Sequence, residues 1–224
     1  MQKNKKVAPS TEQAKDVLEL LELEKDIRNC ADFLHCDIMD GKFVERTLLT
    51  NEELFQLSNN VVLPLDFHLM CDFVLDESKL DFYIGLKPYN ISIHIEAFKN
   101  HESLLNAIRK IKAAGIKVCL VVKIESDIEL VKQFLNEIDM LLIMSVKIGY
   151  GGQTFSDLAI KKILRAKEMM IEIKKNVLLQ VDGGVTDKIS AMLFDMGVDC
   201  LVSGSFVFKS ENRCEAIAKL KGEN

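Results

Sequence analysis

The chain has 224 residues, 48% of them hydrophobic and 28% charged, with a formal net charge of −5. This composition is ordinary for a soluble globular protein, and the length suits one α/β barrel as well as two smaller domains. It excludes a nucleic-acid surface, because no stretch combines clustered Lys or Arg with interleaved aromatics, and no apolar run approaches the roughly 18 residues of a membrane span.

Along the chain, short apolar runs rich in β-formers alternate with segments of helical period. Strands are predicted at 6–9, 32–38, 62–69, 90–95, 116–122, 139–145, 177–182 and 198–203. Helices are predicted between them at 11–29, 50–59, 74–86, 101–114, 125–137, 156–174 and 185–196, with a last one near 210–221. Eight strands alternating with helices is the count of a (β/α)8 TIM barrel, built from right-handed parallel crossovers. A weak echo between AAGIKVCLV at 113–121 and DMGVDCLVS at 195–203 fits a βα repeat. The only prolines are Pro9, Pro64 and Pro88, and no linker rich in Pro, Gly or Ser divides the chain. A single catalytic domain spanning 1–224 is the expectation.

Six cysteines, at 30, 36, 71, 119, 200 and 214, show no CxxC pair and no regular spacing. Several lie in apolar runs, where a free Cys behaves as a small hydrophobe. A disulfide framework is therefore not expected, which suggests a reducing compartment. The first residues, MQKNKKVAPS, carry charge but no apolar stretch of the secretory kind. A cytoplasmic location is expected.

Catalytic groups of such barrels lie at the C-terminal ends of the strands. The second predicted strand ends in His35, Asp37 and Met39 on one face, because strand side chains alternate. The third ends in Asp66, His68 and Met70, the fourth carries Ser92, His94 and Glu96 in register, and the seventh ends in Asp182. One such His alone would be an ordinary satisfied core residue. His35, Asp37, His68 and Asp182 together, at equivalent strand ends, form a donor set suited to one divalent transition metal such as Zn, Fe, Mn or Co. Asp66 is expected one layer deeper, orienting His68. His94 and Glu96 stay balanced between a structural and a functional role.

Six of the eleven glycines (Gly149, Gly151, Gly152, Gly183, Gly184, Gly204) directly follow the last three strands. Loops at this end of a barrel often bind phosphate, with bare backbone N–H groups and helix N-termini facing the anion. Glycine permits that close approach. Met39, Met70 and Met144 also sit at strand ends, where a Met is either core filler or a dry lining beside the reacting carbon.

At these residues the chain resembles the ribulose-phosphate 3-epimerase family. The likeness runs from APS at 8–10 to SGSFVF at 203–208, carried by LHCDIMDGKFV, DFHLM, IHIEA, IMSVKIGYGGQTF, QVDGGV and VSGSFVF. The resemblance implies metal ligation by His35, Asp37, His68 and Asp182, with Asp37 and Asp182 also serving as the catalytic acid/base pair. It implies substrate contacts from Ser10, Met39, His68, Met70 and Met144. It implies a phosphate grip by Gly151, Gly152, Gly184, Gly204 and Ser205. The chain departs from the family pattern at Lys42, Glu45 and Arg46, at 123–127, and at Lys147–Ile148, all in loops around the sugar.

The expected reaction is metal-dependent 3-epimerisation of a phosphorylated ketose, D-ribulose 5-phosphate to D-xylulose 5-phosphate, through an enediolate. Asp37 and Asp182 lie three strands apart around the ring, so they are expected to face each other across much of the mouth. Two alternatives stay open: a 3-epimerase for a hexulose 6-phosphate such as allulose 6-phosphate, and a catalytically silent phosphate-binding barrel. A decarboxylase is disfavoured, because the third strand carries no DxKxxD-type lysine array. Neither nucleic acid nor membrane is an expected partner, and assembly into a homo-oligomer is left open.

Overall fold

The computed structural model describes residues 5–74 and 76–223. Strands β1 (Lys6–Pro9), β2 (Leu34–Asp40), β3 (Thr47–Leu48), β4 (Leu65–Met70) and β5 (Asn90–His94) come from the first half of the chain. Strands β6 (Lys117–Val122), β7 (Met140–Met144), β8 (Leu178–Asp182) and β9 (Cys200–Ser203) complete the sheet in the order β1-β9-β8-β7-β6-β5-β4-β2-β3. All neighbours are parallel except β3, a two-residue strand folded back on Met39 and Asp40. The ring closes between β1 and β2 through a parallel bridge from Ser10 to His35, where Thr11 N–H donates to the His35 carbonyl at 2.8 Å. This is the expected α/β TIM barrel, with all eight parallel strands near the positions predicted.

Strand β6 shows why these segments are strands. Its residues after Lys117 are all buried. Val118, Leu120 and Val122 pack in the layer under the helices, while Cys119 and Val121 join Met140, Leu142 and Met144 inside the barrel. A β-branched run buried on both faces is what a parallel strand between two layers demands. Strand β2 alternates in the same way, but Leu34, Cys36 and Ile38 take the apolar layer and leave His35, Asp37 and Met39 to the interior.

The outer helices are α1 (Val17–Ile27), α2 (Asn51–Asn60), α3 (Lys79–Gly85), α4 (His101–Ala113), α5 (Leu158–Ile173), α6 (Asp187–Asp195), α7 (Ser205–Phe208) and α8 (Arg213–Lys221). Local chemistry fixes several starts. Thr50 and Glu53 form a reciprocal capping box on α2, a feature worth about 1 kcal/mol. The helix predicted from residue 11 begins only at Val17, because Asp16 Oδ1 accepts from Glu19 N–H at 2.9 Å and caps it there. Glu12 and Gln13 are thereby left outside the helix, where they border the cavity at the barrel mouth.

The helix predicted at 125–137 is instead a 3-10 segment, Ile128–Phe134. Its buried residues, Ile128, Val131 and Phe134, recur every third position, which matches three residues per turn rather than 3.6. The short β3 and α7 carry too few residues to show a period, so no sequence pattern marks them.

One expectation is overturned among the cysteines. Cys30, just beyond α1, is disulfide-bonded to Cys214 in α8, across a sequence separation of 184 residues. Cys36, Cys71, Cys119 and Cys200 are free and buried, as small hydrophobes should be. The pairing was invisible because it joins the two ends of the chain, which only closure of the ring makes neighbours. No helix among the described residues is long and apolar enough to cross a membrane.

Candidate active site

The interior faces of four strands converge at the C-terminal end of the barrel. β2 supplies His35 and Asp37, β4 supplies Asp66 and His68, β5 supplies His94, and β8 supplies Asp182. Pairing puts His35 beside Asp66 and Asp37 beside His68, so one donor of each strand lies at each level. His35, Asp66, His68 and His94 are fully buried.

At the upper level, His35 Nε2 lies 3.5 Å from Asp37 Oδ1 and 3.7 Å from Asp182 Oδ2. His68 Nδ1 lies 3.1 Å from the same Asp37 oxygen and 3.8 Å from the same Asp182 oxygen. One donor atom from each of the four residues falls within 4.8 Å of the others. Two imidazoles and two carboxylates, converging with one lone pair each, can hold a divalent metal ion, and two carboxylate charges suit its charge.

Each donor has its own support. Ser10 Oγ donates to Asp37 Oδ2 at 2.6 Å. His35 Nδ1 meets Asp66 Oδ2 at 2.6 Å, and Asp66 in turn accepts from Asn90 and Gln180, each at 2.7 Å. Asp66 thus lies one layer deeper as expected, but it orients His35 rather than His68, because parallel register sets it directly beside His35. His68 Nε2 meets His94 Nε2 at 2.9 Å instead. Asp182 is fixed through its backbone: Ser145 N–H and Oγ donate to its carbonyl at 2.8 and 2.7 Å.

These surroundings push the two aspartates apart. Burial opposes ionisation of Asp37, yet the His35 charge and hydrogen bonds from His35 and His68 outweigh it and hold its carboxyl well below the usual range. Burial raises Asp182 to about 8, helped by the charges of Asp37, Glu12 and Asp66 against the pull of His35. His35 is raised, since Asp66 and Asp37 outweigh its burial, whereas burial lowers His68 and brings His94 down to about 4. Burial also works against Glu96, but hydrogen bonds from His94 and Ser126 bring it down to about 2.

A cavity of about 480 Å³ opens above this cluster. Ser10, Asp37, Asp182 and the three methionines Met39, Met70 and Met144 border it, and Gly151, Gly152, Gly184, Gly204 and Ser205 form another part of its wall. Gly184 needs to be glycine: its φ is +62°, and a Cβ there would collide with the Phe155 backbone nitrogen. The residues named above from the sequence thus lie in the donor cluster or in the cavity wall, with one difference from the expected substrate contacts. His68 sits in the donor cluster behind the wall rather than in the wall itself, being fully buried.

A second expectation also changes. Asp37 and Asp182 do not face each other across a wide mouth; both reach inward over the barrel axis to one cluster of 4.8 Å extent. Strand separation around the ring sets where a chain leaves the sheet, not where its side chain ends. Glu12, which no sequence motif marks, borders the same cavity and accepts from Arg46 Nη1 at 2.7 Å. Only the unusual Arg46 hinted at that pair.

The profile of the ribulose-phosphate 3 epimerase family matches residues 6–208. The ribulose-phosphate 3-epimerase of Helicobacter pylori is 38% identical over 216 residues, covering 96% of each chain. That of Bacillus subtilis is 32% identical over 219 residues, covering 97% of this chain and 98% of its own. Among solved structures, a tryptophan synthase α-subunit from Pyrococcus furiosus shares the fold with a TM-score of 0.71 at 16% identity, covering 99% of this chain and 100% of its own. A 3-hexulose-6-phosphate synthase from Salmonella typhimurium does so at 0.67 and 13%, covering 97% of each. The profile match and the two epimerase relatives span the strands that carry the cluster and the glycine loops, and the chain belongs to the ribulose-phosphate 3-epimerase family of isomerases.

Proposed function

We propose that this protein interconverts D-ribulose 5-phosphate and D-xylulose 5-phosphate by moving a proton between Asp37, Asp182 and the substrate's third carbon. The observation that carries this reading is that both carboxylates, one from β2 and one from β8, border a single cavity whose rim is built of glycine loops. Backbone N–H groups around Gly151, Gly152, Gly184, Gly204 and Ser205 grip the phosphate, and that remote binding energy fixes the reacting carbon between the aspartates.

Asp37, the base of the pair, removes the proton from one face; the C–H electron pair forms the double bond between the second and third carbons and the carbonyl π pair moves onto oxygen, giving an enediolate. Asp182, the acid of the pair, returns a proton to the opposite face as the carbonyl re-forms. The roles exchange in the reverse direction. Met39, Met70 and Met144 supply a dry, polarisable wall beside that carbon. A divalent metal held by His35, Asp37, His68 and Asp182 would polarise the ketone and stabilise the charge that develops on it. Zn, Fe, Mn and Co all suit this donor set.

The test is turnover of ribulose 5-phosphate in deuterated water. Xylulose 5-phosphate should carry deuterium at its third carbon in every molecule formed, because the acid that returns the proton exchanges with solvent. Product free of deuterium would reject the two-aspartate route. Turnover of a hexulose 6-phosphate well above that of ribulose 5-phosphate would move the substrate to the larger sugar. Chelation should abolish turnover, and a divalent transition metal should restore it.

A further inference from the structure

His94 and Glu96 lie behind the donor cluster, away from the cavity, and nothing in the reaction so far uses them. His94 is fully buried, with its ring 5.0 Å from that of His68 on one side and 5.0 Å from Phe43 on the other. Its Nε2 meets His68 Nε2 at 2.9 Å, and its Nδ1 meets Glu96 Oε2 at 3.4 Å. The other carboxylate oxygen of Glu96 accepts from Lys123 N–H at 3.0 Å and from Ser126 Oγ.

Hydrogen bookkeeping leaves one arrangement for this row. A metal in the cluster needs the lone pair of His68 on Nδ1, so the ring hydrogen of His68 is on Nε2. That hydrogen points at His94 Nε2, which must accept and so cannot carry a hydrogen. The hydrogen of His94 is then on Nδ1, where Glu96, an acceptor only, receives it. His35 follows the same rule on its own side, with Nδ1–H donated to Asp66.

We propose that His94 and Glu96 are positioning residues for His68: Glu96 fixes His94 as the Nδ1–H tautomer, and the Nε2 lone pair so freed orients His68 with its Nδ1 toward the metal. Glu96 is bound to the loop that follows β6, and His94 reaches that loop through Glu96 and Phe43. Lys123 and Ser126 donate to Glu96, the Lys123 ammonium lies 3.9 Å over the Phe43 ring that covers His94, and Lys162 in α5 holds the carbonyls of Lys123 and Ser126. The metal ligand is thereby tied to a loop in which this chain departs from its family's pattern. The inference rests on reading the four-donor cluster as a metal centre.

The experiment is titration of chelator-stripped protein with Co²⁺ and with Zn²⁺ alone, following the cobalt absorption spectrum and the dissociation constant. His94→Phe keeps the ring packing but offers His68 no acceptor, and should weaken metal binding by about 10- to 100-fold with an altered cobalt spectrum. His94→Gln, whose carbonyl can accept the same hydrogen, should recover most of that loss. Glu96→Gln, nearly isosteric, serves if His94→Phe does not fold; it should weaken binding in the same sense, because its amide can donate to His94 Nδ1 and favour the wrong tautomer. Wild-type protein that binds either metal, with His94→Phe and Glu96→Gln unchanged within about twofold, would overturn the positioning role alone. Wild-type protein that binds neither metal would overturn the metal centre itself, and this inference with it.

Discussion

The two sides of the cavity are built on different principles. On the side of β2, β4 and β5, side chains hold side chains: Ser10 fixes Asp37, Asp66 fixes His35 and His94 meets His68, all at 2.6–2.9 Å. On the side of β7, β8 and β9, the wall includes glycines after each strand, with Gly151, Gly152, Gly184 and Gly204 offering bare backbone where the chain passes the cavity. The first side fixes the identity and direction of a few atoms; the second fixes a shape. A chemical change should therefore damage the first, and a change of volume the second.

The largest expected effect follows from replacing either member of the acid/base pair, Asp37 on the interlocked side or Asp182 at the end of β8. Asp37→Asn and Asp182→Asn should each lower kcat by about 10²- to 10⁴-fold or more, with the barrel still folded by circular dichroism. Near-normal turnover in either variant would remove that aspartate from the chemistry.

On the backbone side, Gly184→Ala adds one carbon at φ +62° against the Phe155 nitrogen. Strain of about 1–3 kcal/mol in the loop should appear as a KM for the phosphorylated ketose raised about 10- to 100-fold, with kcat much less affected. If kcat fell and KM held, the contrast between the two sides would be wrong.

A smaller effect separates stability from activity. Glu96 ordinarily ionises near 4.5 and is brought down to about 2 in the fold, so its stabilisation is present above about pH 4.5 and is lost as pH falls toward 2. The full difference is worth about 3 kcal/mol. Glu96→Gln should be less stable than wild type at neutral pH, and the gap should close between about pH 4.5 and 2 in denaturant unfolding. A gap that stayed constant with pH would mean the carboxylate charge contributes nothing there.

Much of the fold was legible because parallel strands buried on both faces write themselves as apolar runs, and β6 and β7 are such runs. The same alternation sets His35, Asp37 and Met39 on one face from the sequence alone, and the clustered glycines mark the far wall. What escaped depended on reach across the barrel. Asp66 was assigned to its neighbour in sequence, His68, when register gives it to His35. The spacing of strands suggested a wide gap between Asp37 and Asp182 that their inward side chains close. The Arg46–Glu12 pair links segments 34 residues apart, and no local pattern announces it. The 3-10 segment at Ile128–Phe134 had the apolar content of a helix, and only its period of three betrayed it.

The bond between Cys30 and Cys214 changes what kind of object the chain is. The backbone from Cys30 to Cys214 and the sulfur bridge together make one covalent hoop that takes in the strands from β2 to β9 and the helices from α2 to α7. A protease that cuts any loop inside the hoop opens it without releasing a piece, and the severed protein still migrates as one molecule until the bridge is reduced. Both ends of the polypeptide hang from that hoop: β1 and α1 before Cys30, and most of α8 after Cys214.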